Sequence, residues 1–80
     1  MRTFDGSRMQ AARERIGMTR NTLAIELMRQ SAVRGYLDRR QVHLWETSDR
    51  APRANTLAAI ADILGVPIDS LFRPADEAAA

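Results

Sequence analysis

The segment DRRQVHLWE, residues 38–46, groups the side chains best suited to bind an anion or a nucleic-acid base, because it holds two arginines, a glutamine and a histidine. Val42 and Trp45 are three positions apart, so on a helix they share a face that can anchor it to a core. Arg39 and Arg40 then project outward. A guanidinium fork matches the O6 and N7 acceptors of guanine, and one good pair contributes about 1–3 kcal/mol of discrimination. The alternative is that the adjacent arginines form a solvated helix face.

The basic residues are unevenly distributed along the chain. All twelve are arginine, and the net charge is +2. Residues 1–53 hold eleven arginines against six acidic residues, a balance of +5, whereas residues 54–80 hold one against four, a balance of −3. This asymmetry indicates a surface directed at a polyanion. A GC-rich genome would explain the absence of lysine but not the asymmetry.

Length and composition limit the class of protein. Eighty residues form one small domain, and the absence of cysteine fits a reducing compartment. We find no signal-peptide pattern and no apolar run of roughly 18 residues that would span a membrane. We therefore expect a cytoplasmic protein without membrane association. A single histidine and no glycine-rich phosphate loop leave no catalytic constellation, so we expect no enzyme, cofactor, metal or small-molecule ligand.

Helical periodicity dominates the chain, which predicts an all-α fold of five short helices around one core. The first helix follows Ser7, which has capping-box spacing to Gln10, and its apolar stripe runs from Met9 to Ile16. Gly17 is expected to end this helix.

Capping signals also mark the next two helices. The second begins at Thr19 and the third at Asp38, which has capping-box spacing to Gln41. Between them, moderate helix propensity favours a longer second helix that ends in a turn at Gly35 and Tyr36. The residues expected to face the core from the second helix are Leu23, Ala24, Leu27 and Met28.

The fourth helix, NTLAAIADILG, follows a loop around Pro52 and ends at Gly65. A short fifth helix begins at Pro67 and ends at Pro74. The core residues expected from these two helices are Leu57, Ile60, Ala61, Leu64, Leu71 and Phe72.

These elements are expected to form one domain over residues 7–73. Residues 1–6 are expected to be a flexible N-terminal arm, and residues 74–80 a short C-terminal tail. If they are exposed rather than part of the core, the candidates for a homodimer interface are Val66, Ile68 and Leu71.

Two blocks of the sequence match a known pattern. The first is RMQAARERIGMTRNTLA, and the second, VHLWETSDRAPRANTLAAIADILGVPIDSLF, contains WE, R-x-P and IA-x-x-LGV. Together they cover most of residues 8–72, and they resemble the Cro and lambda-repressor-type helix-turn-helix family. The resemblance implies a five-helix domain whose third helix enters the major groove of double-stranded DNA. One departure from the family pattern is an insertion: the resemblance implies about 14 positions between the leucine of the first block and the tryptophan of the second, whereas Leu23 and Trp45 are 22 positions apart, about eight more.

The resemblance also implies roles for individual residues. Arg13 and Glu46 are expected to form a structural ion pair that ties the first helix to the third. The residues expected to contact bases are Arg39, Arg40 and Leu44, with Gln41 and His43 close by, although His43 is equally compatible with simple exposure. Those expected to contact phosphates are Arg20, Arg53 and Asn55, together with Arg34 if the insertion faces the duplex.

The sequence therefore predicts a sequence-specific transcriptional regulator, a repressor of phage or mobile-element type. It is expected to bind DNA either as a homodimer or, given the insertion, as a monomer that occupies repeated sites. One alternative is an antitoxin-like regulator that also binds a partner protein, although the PADEAAA tail is short for that role. Another is a protein-interaction module that has lost DNA binding. The intact Arg20, Arg39 and Arg40 argue against it.

Overall fold

A computed structural model describes residues 2–30, 35–48 and 50–74 of the chain. Over these residues the protein is mainly helical, with one small two-stranded sheet. In chain order the elements are β1 (Arg2–Phe4), α1 (Gly6–Arg15), α2 (Arg20–Arg29), α3 (Arg39–Thr47), α4 (Ala54–Leu64), a 3-10 turn (Ile68–Leu71) and β2 (Phe72–Pro74).

Side-chain caps fix the start of the first three helices. Thr19 caps α2 and Asp38 caps α3, each accepting a hydrogen bond from a first-turn amide, which confirms both predicted starts. The predicted start of α1 after Ser7 is wrong, because Asp5 is the N-cap and accepts from the Ser7 amide at 3.0 Å. The Ser7 hydroxyl donates to the same carboxylate. It is therefore engaged as a donor and does not serve as the cap.

The core lies where the α-helices meet. The inward positions predicted for α2 and α4 are buried, except that Met28 is only half-buried. Ile16, predicted to face inward, is 49% exposed, because α1 ends at Arg15 and Ile16 lies beyond its last turn. The buried apolar residues are Met9, Ala12, Leu23, Ala24, Leu27, Leu37, Val42, Trp45, Leu57, Ile60, Ala61, Leu64 and Leu71.

The second helix is shorter than predicted. α2 ends at Arg29, and its last buried residue is Leu27, so packing supports little helix beyond that point. Residues 31–34 lie outside the described residues, and with them the predicted phosphate contact Arg34. Gly35 has a φ of 76°, in the left-handed region that glycine adopts without steric cost. The predicted turn at this glycine is therefore confirmed.

β1 and β2 form an antiparallel sheet in which Phe4 lies opposite Phe72. The two phenyl rings pack edge to face, with centroids 6.1 Å apart. Residues 2–4, which fall in the predicted N-terminal arm, form a strand here, and the sheet is a small addition to a fold that is mainly helical, as predicted. Strands of three residues are too short to show the alternation by which a strand is recognised in a sequence.

The C-terminal part of the domain follows the prediction as far as α4, which ends at Gly65 with a φ of 70°. The predicted fifth helix is a single 3-10 turn with Pro67 as its N-cap, and it ends at Leu71, before Pro74. It ends there because Phe72 leaves the turn to pair with β1. Residues 75–80 of the predicted tail lie outside the described residues. None of the helices in the described ranges has the length and apolar character needed to cross a membrane.

Candidate nucleic-acid interface

α3 has one face in the core and another in solvent. Val42 is fully buried and Trp45 is 6% exposed, which confirms their predicted role as anchors. On the other side, the residues predicted to contact bases include one that is half-buried, Gln41, and four that are exposed: Arg39, Arg40, His43 and Leu44. The helix is thus held firmly by the core while two guanidinium groups remain accessible at its N-terminal end.

A stripe of side chains runs along the exposed face of this helix. Arg40 and Leu44 are one helical turn apart and Thr47 follows after another turn, so all three lie on the same face. Leu44 is 41% exposed. Thr47 was not identified from the sequence, although its spacing from Arg40 is a signal that could have identified it.

The N-terminal end of α3 holds an exposed ion pair between Asp38 and Arg40. Nε and Nη2 of Arg40 both donate to Oδ2 of Asp38, at 3.3 and 3.2 Å, and Oδ1 accepts from the Arg40 amide at 3.0 Å. Partial loss of hydration favours the neutral carboxyl, but the hydrogen bonds and charge of Arg40 outweigh it and hold the pKa of Asp38 below its ordinary value of 3.8. Asp38 is therefore ionised at neutral pH.

Beside this pair, the start of α2 and the start of α3 border an open depression of about 250 Å³. Its lining residues are Asn21, Tyr36, Asp38, Arg39 and Arg40. The Tyr36 side chain is 82% exposed. Aromatic rings beside cationic groups are common on surfaces that bind the unpaired bases of single-stranded nucleic acids. From the sequence, Tyr36 was predicted only as part of a turn, and Asn21 was not identified.

A second charged cluster lies at the C-terminal end of α3, where Glu46 is buried. Nε and Nη2 of Arg13 donate to the two Glu46 oxygens at 2.7 and 3.2 Å, which confirms the predicted ion pair. Nη1 of Arg13 donates to the Met18 carbonyl at 2.6 Å. The Glu46 side chain is 0% exposed and that of Arg13 is 7% exposed. This cluster joins α1 and α3 through a desolvated, bidentate pair.

Arg20 belongs to the same cluster, which changes the role predicted for it. Its Nε donates to Oε1 of Glu46 at 2.9 Å, and its side chain is 32% exposed. The resemblance implies a phosphate contact for Arg20. The buried carboxylate fixes the position of its Nε, while part of the guanidinium group still reaches the surface. Nη2 of Arg13 also lies 3.9 Å from the exposed Glu14 carboxylate, so the two arginines of the cluster lie beside two carboxylates.

The other predicted phosphate contacts lie at the start of α4. Arg53 is its N-cap residue and Asn55 lies in its first turn, and both are exposed. Unlike α1, α2 and α3, this helix begins without a side-chain cap. The N-terminal end of a helix carries partial positive charge and unpaired amides, which favour an anion.

Comparison with protein-family models finds no matching family, and comparisons with curated proteins and with solved structures find no match. The functional interpretation therefore depends on the geometry of the site. Within the described parts of the chain, His, Asp and Glu form no group that could hold a metal ion. What the arrangement offers chemically is a helix anchored in the core that presents hydrogen-bond donors at the surface.

Proposed function

We propose that the protein is a sequence-specific regulator that binds double-stranded DNA through α3. The observation that carries the proposal is that α3 has a buried face and an exposed face. Val42 and Trp45 are buried, while Arg39 and Arg40 are exposed at its N-terminal end. A helix held in this way fits the major groove of B-DNA, which is about 12 Å wide. The groove accepts the exposed face while the buried face keeps the helix in place.

In this proposal the exposed side chains of α3 select the bases. The guanidinium forks of Arg39 and Arg40 match guanine, and the Leu44 side chain matches a thymine methyl group. Gln41 and His43 can donate to or accept from base edges beside them. The proposed site therefore contains guanine.

Phosphate contacts are assigned to the starts of two helices. At α4, the uncapped amides lie next to the exposed Arg53 and Asn55, which together suit one phosphate group. At α2, Arg20 adds positive charge, and its neighbour Asn21 lines the depression beside α3. Such contacts position the protein on the duplex without reading its sequence.

The proposed regulatory effect is repression, in which the bound protein occludes polymerase at an operator. Of the three residues considered for a homodimer interface, Leu71 is fully buried and belongs to the core, whereas Ile68 is 39% exposed and Val66 is half-buried. A dimer would therefore use Ile68 and Val66. It would place two copies of α3 at half-sites roughly 34–36 Å apart.

Selection of bound sites from random duplex DNA, with the full chain, tests the proposal. We expect one enriched motif that contains guanine, repeated with inverted symmetry if two copies bind together. If no motif is enriched at any salt concentration, the chain does not read sequence and the proposal is wrong.

Arg40→Ala tests base reading at the selected site. We expect a loss of about 1–3 kcal/mol in specific binding, with much less change on unrelated DNA, because one bidentate contact to guanine is removed. Arg29→Ala is the matched control, since it removes the same charge from a side chain that is 72% exposed and pairs with Glu26. Equal losses in the two variants, or equal losses on all sequences, would count against base reading.

Arg53→Ala tests the phosphate contact at α4. Binding should weaken on every sequence, and the slope of log affinity against log salt should fall by about one, because one phosphate contact no longer releases counterions. Measurement of DNA affinity at several salt concentrations gives this slope. An unchanged slope would remove Arg53 from the interface.

A further inference from the structure

Asp38 directs both of its carboxylate oxygens at Arg40. Oδ1 accepts from the backbone amide at 3.0 Å, and Oδ2 accepts from Nε and Nη2 of the side chain at 3.3 and 3.2 Å. The Asp38 side chain is 24% exposed and that of Arg40 is 85% exposed. The guanidinium group is therefore tethered at the surface rather than withdrawn from it.

The tether uses one particular edge of the guanidinium group. Nε and Nη2 lie along its side edge, and Asp38 occupies that edge. The end edge, formed by Nη1 and the second hydrogen of Nη2, points away from the carboxylate because the group is planar and rigid. Two parallel N–H donors on that edge are what the O6 and N7 acceptors of guanine require.

We infer that Asp38 is a positioning residue for specificity, which holds Arg40 so that the end edge of its guanidinium group faces a guanine in the major groove. This inference rests on the proposed function. The same carboxylate disfavours use of Arg40 as a phosphate contact, because a phosphate on the side edge would meet a like charge. The position of Asp38 therefore favours base contacts by Arg40, and phosphate contacts are expected from other arginines.

The benefit of the tether is a smaller loss of side-chain freedom when DNA binds. A free arginine side chain gives up rotamer entropy when it is fixed at a base edge, and a tethered one gives up less. Exposed ion pairs contribute about 0.2–1 kcal/mol, which at 1.36 kcal/mol per tenfold change corresponds to about 1.4- to 5-fold in affinity. The expected effect is therefore small but specific to one base pair.

Asp38→Asn separates the tether from the helix cap. Asparagine caps a helix about as well as aspartate, but its amide group cannot hold a guanidinium edge by charge. In the full chain we expect the preference for guanine at the position read by Arg40 to fall by about 1.4- to 5-fold, with preferences at other positions unchanged. The readout is competition binding to the selected site and to its three single-base variants at that position.

Two controls distinguish positioning from a general loss of charge or structure. Glu26→Gln breaks another exposed pair, in which Arg29 lies 3.0 Å from Glu26, and should leave the base preference unchanged. In an Arg40→Ala background, Asp38→Asn should have no further effect on guanine preference, since the side chain it positions is absent. The unfolding midpoint of Asp38→Asn should stay close to that of the wild type.

A measurement on the free protein tests the positioning of Arg40 independently of DNA binding. In the free protein, nitrogen relaxation at Nε should show Arg40 more ordered than Arg39, and Asp38→Asn should remove the difference. Equal mobility of the two side chains in the wild type would overturn the inference. So would an unchanged guanine preference in Asp38→Asn when the wild type selects a motif. If the wild type selects no motif, the proposed function fails and the inference fails with it.

Discussion

The two ends of α3 carry the same chemistry in opposite environments. At the C-terminal end, the buried Glu46 carboxylate accepts from Arg13 and Arg20, and its side chain is 0% exposed. At the N-terminal end, Asp38 pairs with Arg40, whose side chain is 85% exposed. Both are arginine–carboxylate clusters with more than one hydrogen bond, and they differ in their access to water.

This difference separates a structural role from the binding role proposed for the exposed pair. A desolvated pair cannot lose one member without leaving an uncompensated charge in a medium of low dielectric constant. An exposed pair is weak because water and salt screen it. The Glu46 cluster therefore holds the helix in place, and the Asp38–Arg40 pair can engage a ligand with little cost to folding. Hydrogen-bond geometry alone would not distinguish them.

Glu46→Gln should produce the largest effect of any single change in these clusters. We expect a loss of about 3–5 kcal/mol in the free energy of unfolding, because the buried Arg13 guanidinium keeps its charge and loses its counterion. Urea denaturation of the full chain measures this. Glu26→Gln, at an exposed pair, is the control and should change stability by about 0.5 kcal/mol or less. If both substitutions have equally small effects, the comparison between buried and exposed clusters is wrong.

Arg13 and Arg20 provide a second test within the buried cluster. Arg13 is 7% exposed and makes two hydrogen bonds to Glu46, whereas Arg20 is 32% exposed and makes one. We expect Arg13→Ala to destabilise by about 3 kcal/mol or more and Arg20→Ala by about 1.5 kcal/mol, the loss of one charged hydrogen bond. Urea denaturation ranks them, and the reverse order would contradict the proposed geometry.

The Arg20→Ala variant also shows whether Arg20 has a role in DNA binding. If its exposed part contacts a phosphate, Arg20→Ala should also reduce the salt slope by about one, measured where the variant is fully folded. A slope equal to that of the wild type would limit Arg20 to its structural role.

Much of α3 and its anchoring is predictable from the sequence because the signals are local. The caps at Thr19 and Asp38 and the spacing of Val42 and Trp45 follow from helix geometry over a few residues. The Arg13–Glu46 pair came from the family resemblance, and the structure confirms it. The caps and the spacing depend on a few neighbouring residues, whereas the Arg13–Glu46 pair joins residues 33 positions apart and was predictable only through the resemblance.

The features that the sequence analysis missed depend on distant or very short elements. The bond from Arg20 to Glu46 joins residues 26 positions apart, and no local pattern indicates that two arginines share one carboxylate. The pairing of Phe4 with Phe72 joins the two ends of the described chain. Exposure of Tyr36 also depends on where the segment after α2 rejoins the core, which helix propensity does not determine.

Gly6→Ala tests how closely α1 approaches the buried end of α3. A Cβ atom at Gly6 would overlap the Trp45 carbonyl oxygen and lie 2.6 Å from the Glu46 carbonyl oxygen, both backbone atoms that cannot rotate away. We expect a loss of about 1–3 kcal/mol from this overpacking. Helix propensity alone predicts the opposite, a gain of roughly 0.5–1 kcal/mol for alanine over glycine. A measured gain in the unfolding free energy would therefore show that the contact is looser than described.

Acid should weaken the half-buried caps Asp5 and Asp38 gradually, which is the smallest effect expected. Burial favours the neutral form of Asp5, but hydrogen bonds from the Ser7 hydroxyl and amide, with the charge of Arg73, hold its pKa below the ordinary value of 3.8. The pKa of Asp38 also lies below 3.8. A carboxyl whose pKa is lowered by folding stabilises the fold above its unfolded pKa, and that contribution is lost as the pH falls through the folded pKa.

The unfolding midpoint should therefore decline as the pH is lowered below about 4, and the two caps should contribute part of this decline. Replacing both aspartates by asparagine keeps caps that do not titrate, so the doubly substituted protein should lose less stability between about pH 5 and pH 2 than the wild type. Thermal unfolding across this range measures the difference. All other carboxyl groups are the same in both proteins, so the difference reports on Asp5 and Asp38 alone. Identical pH profiles would show that the ion pair between Asp38 and Arg40 adds no measurable free energy of unfolding. An effect of the pair would then be expected only in DNA binding.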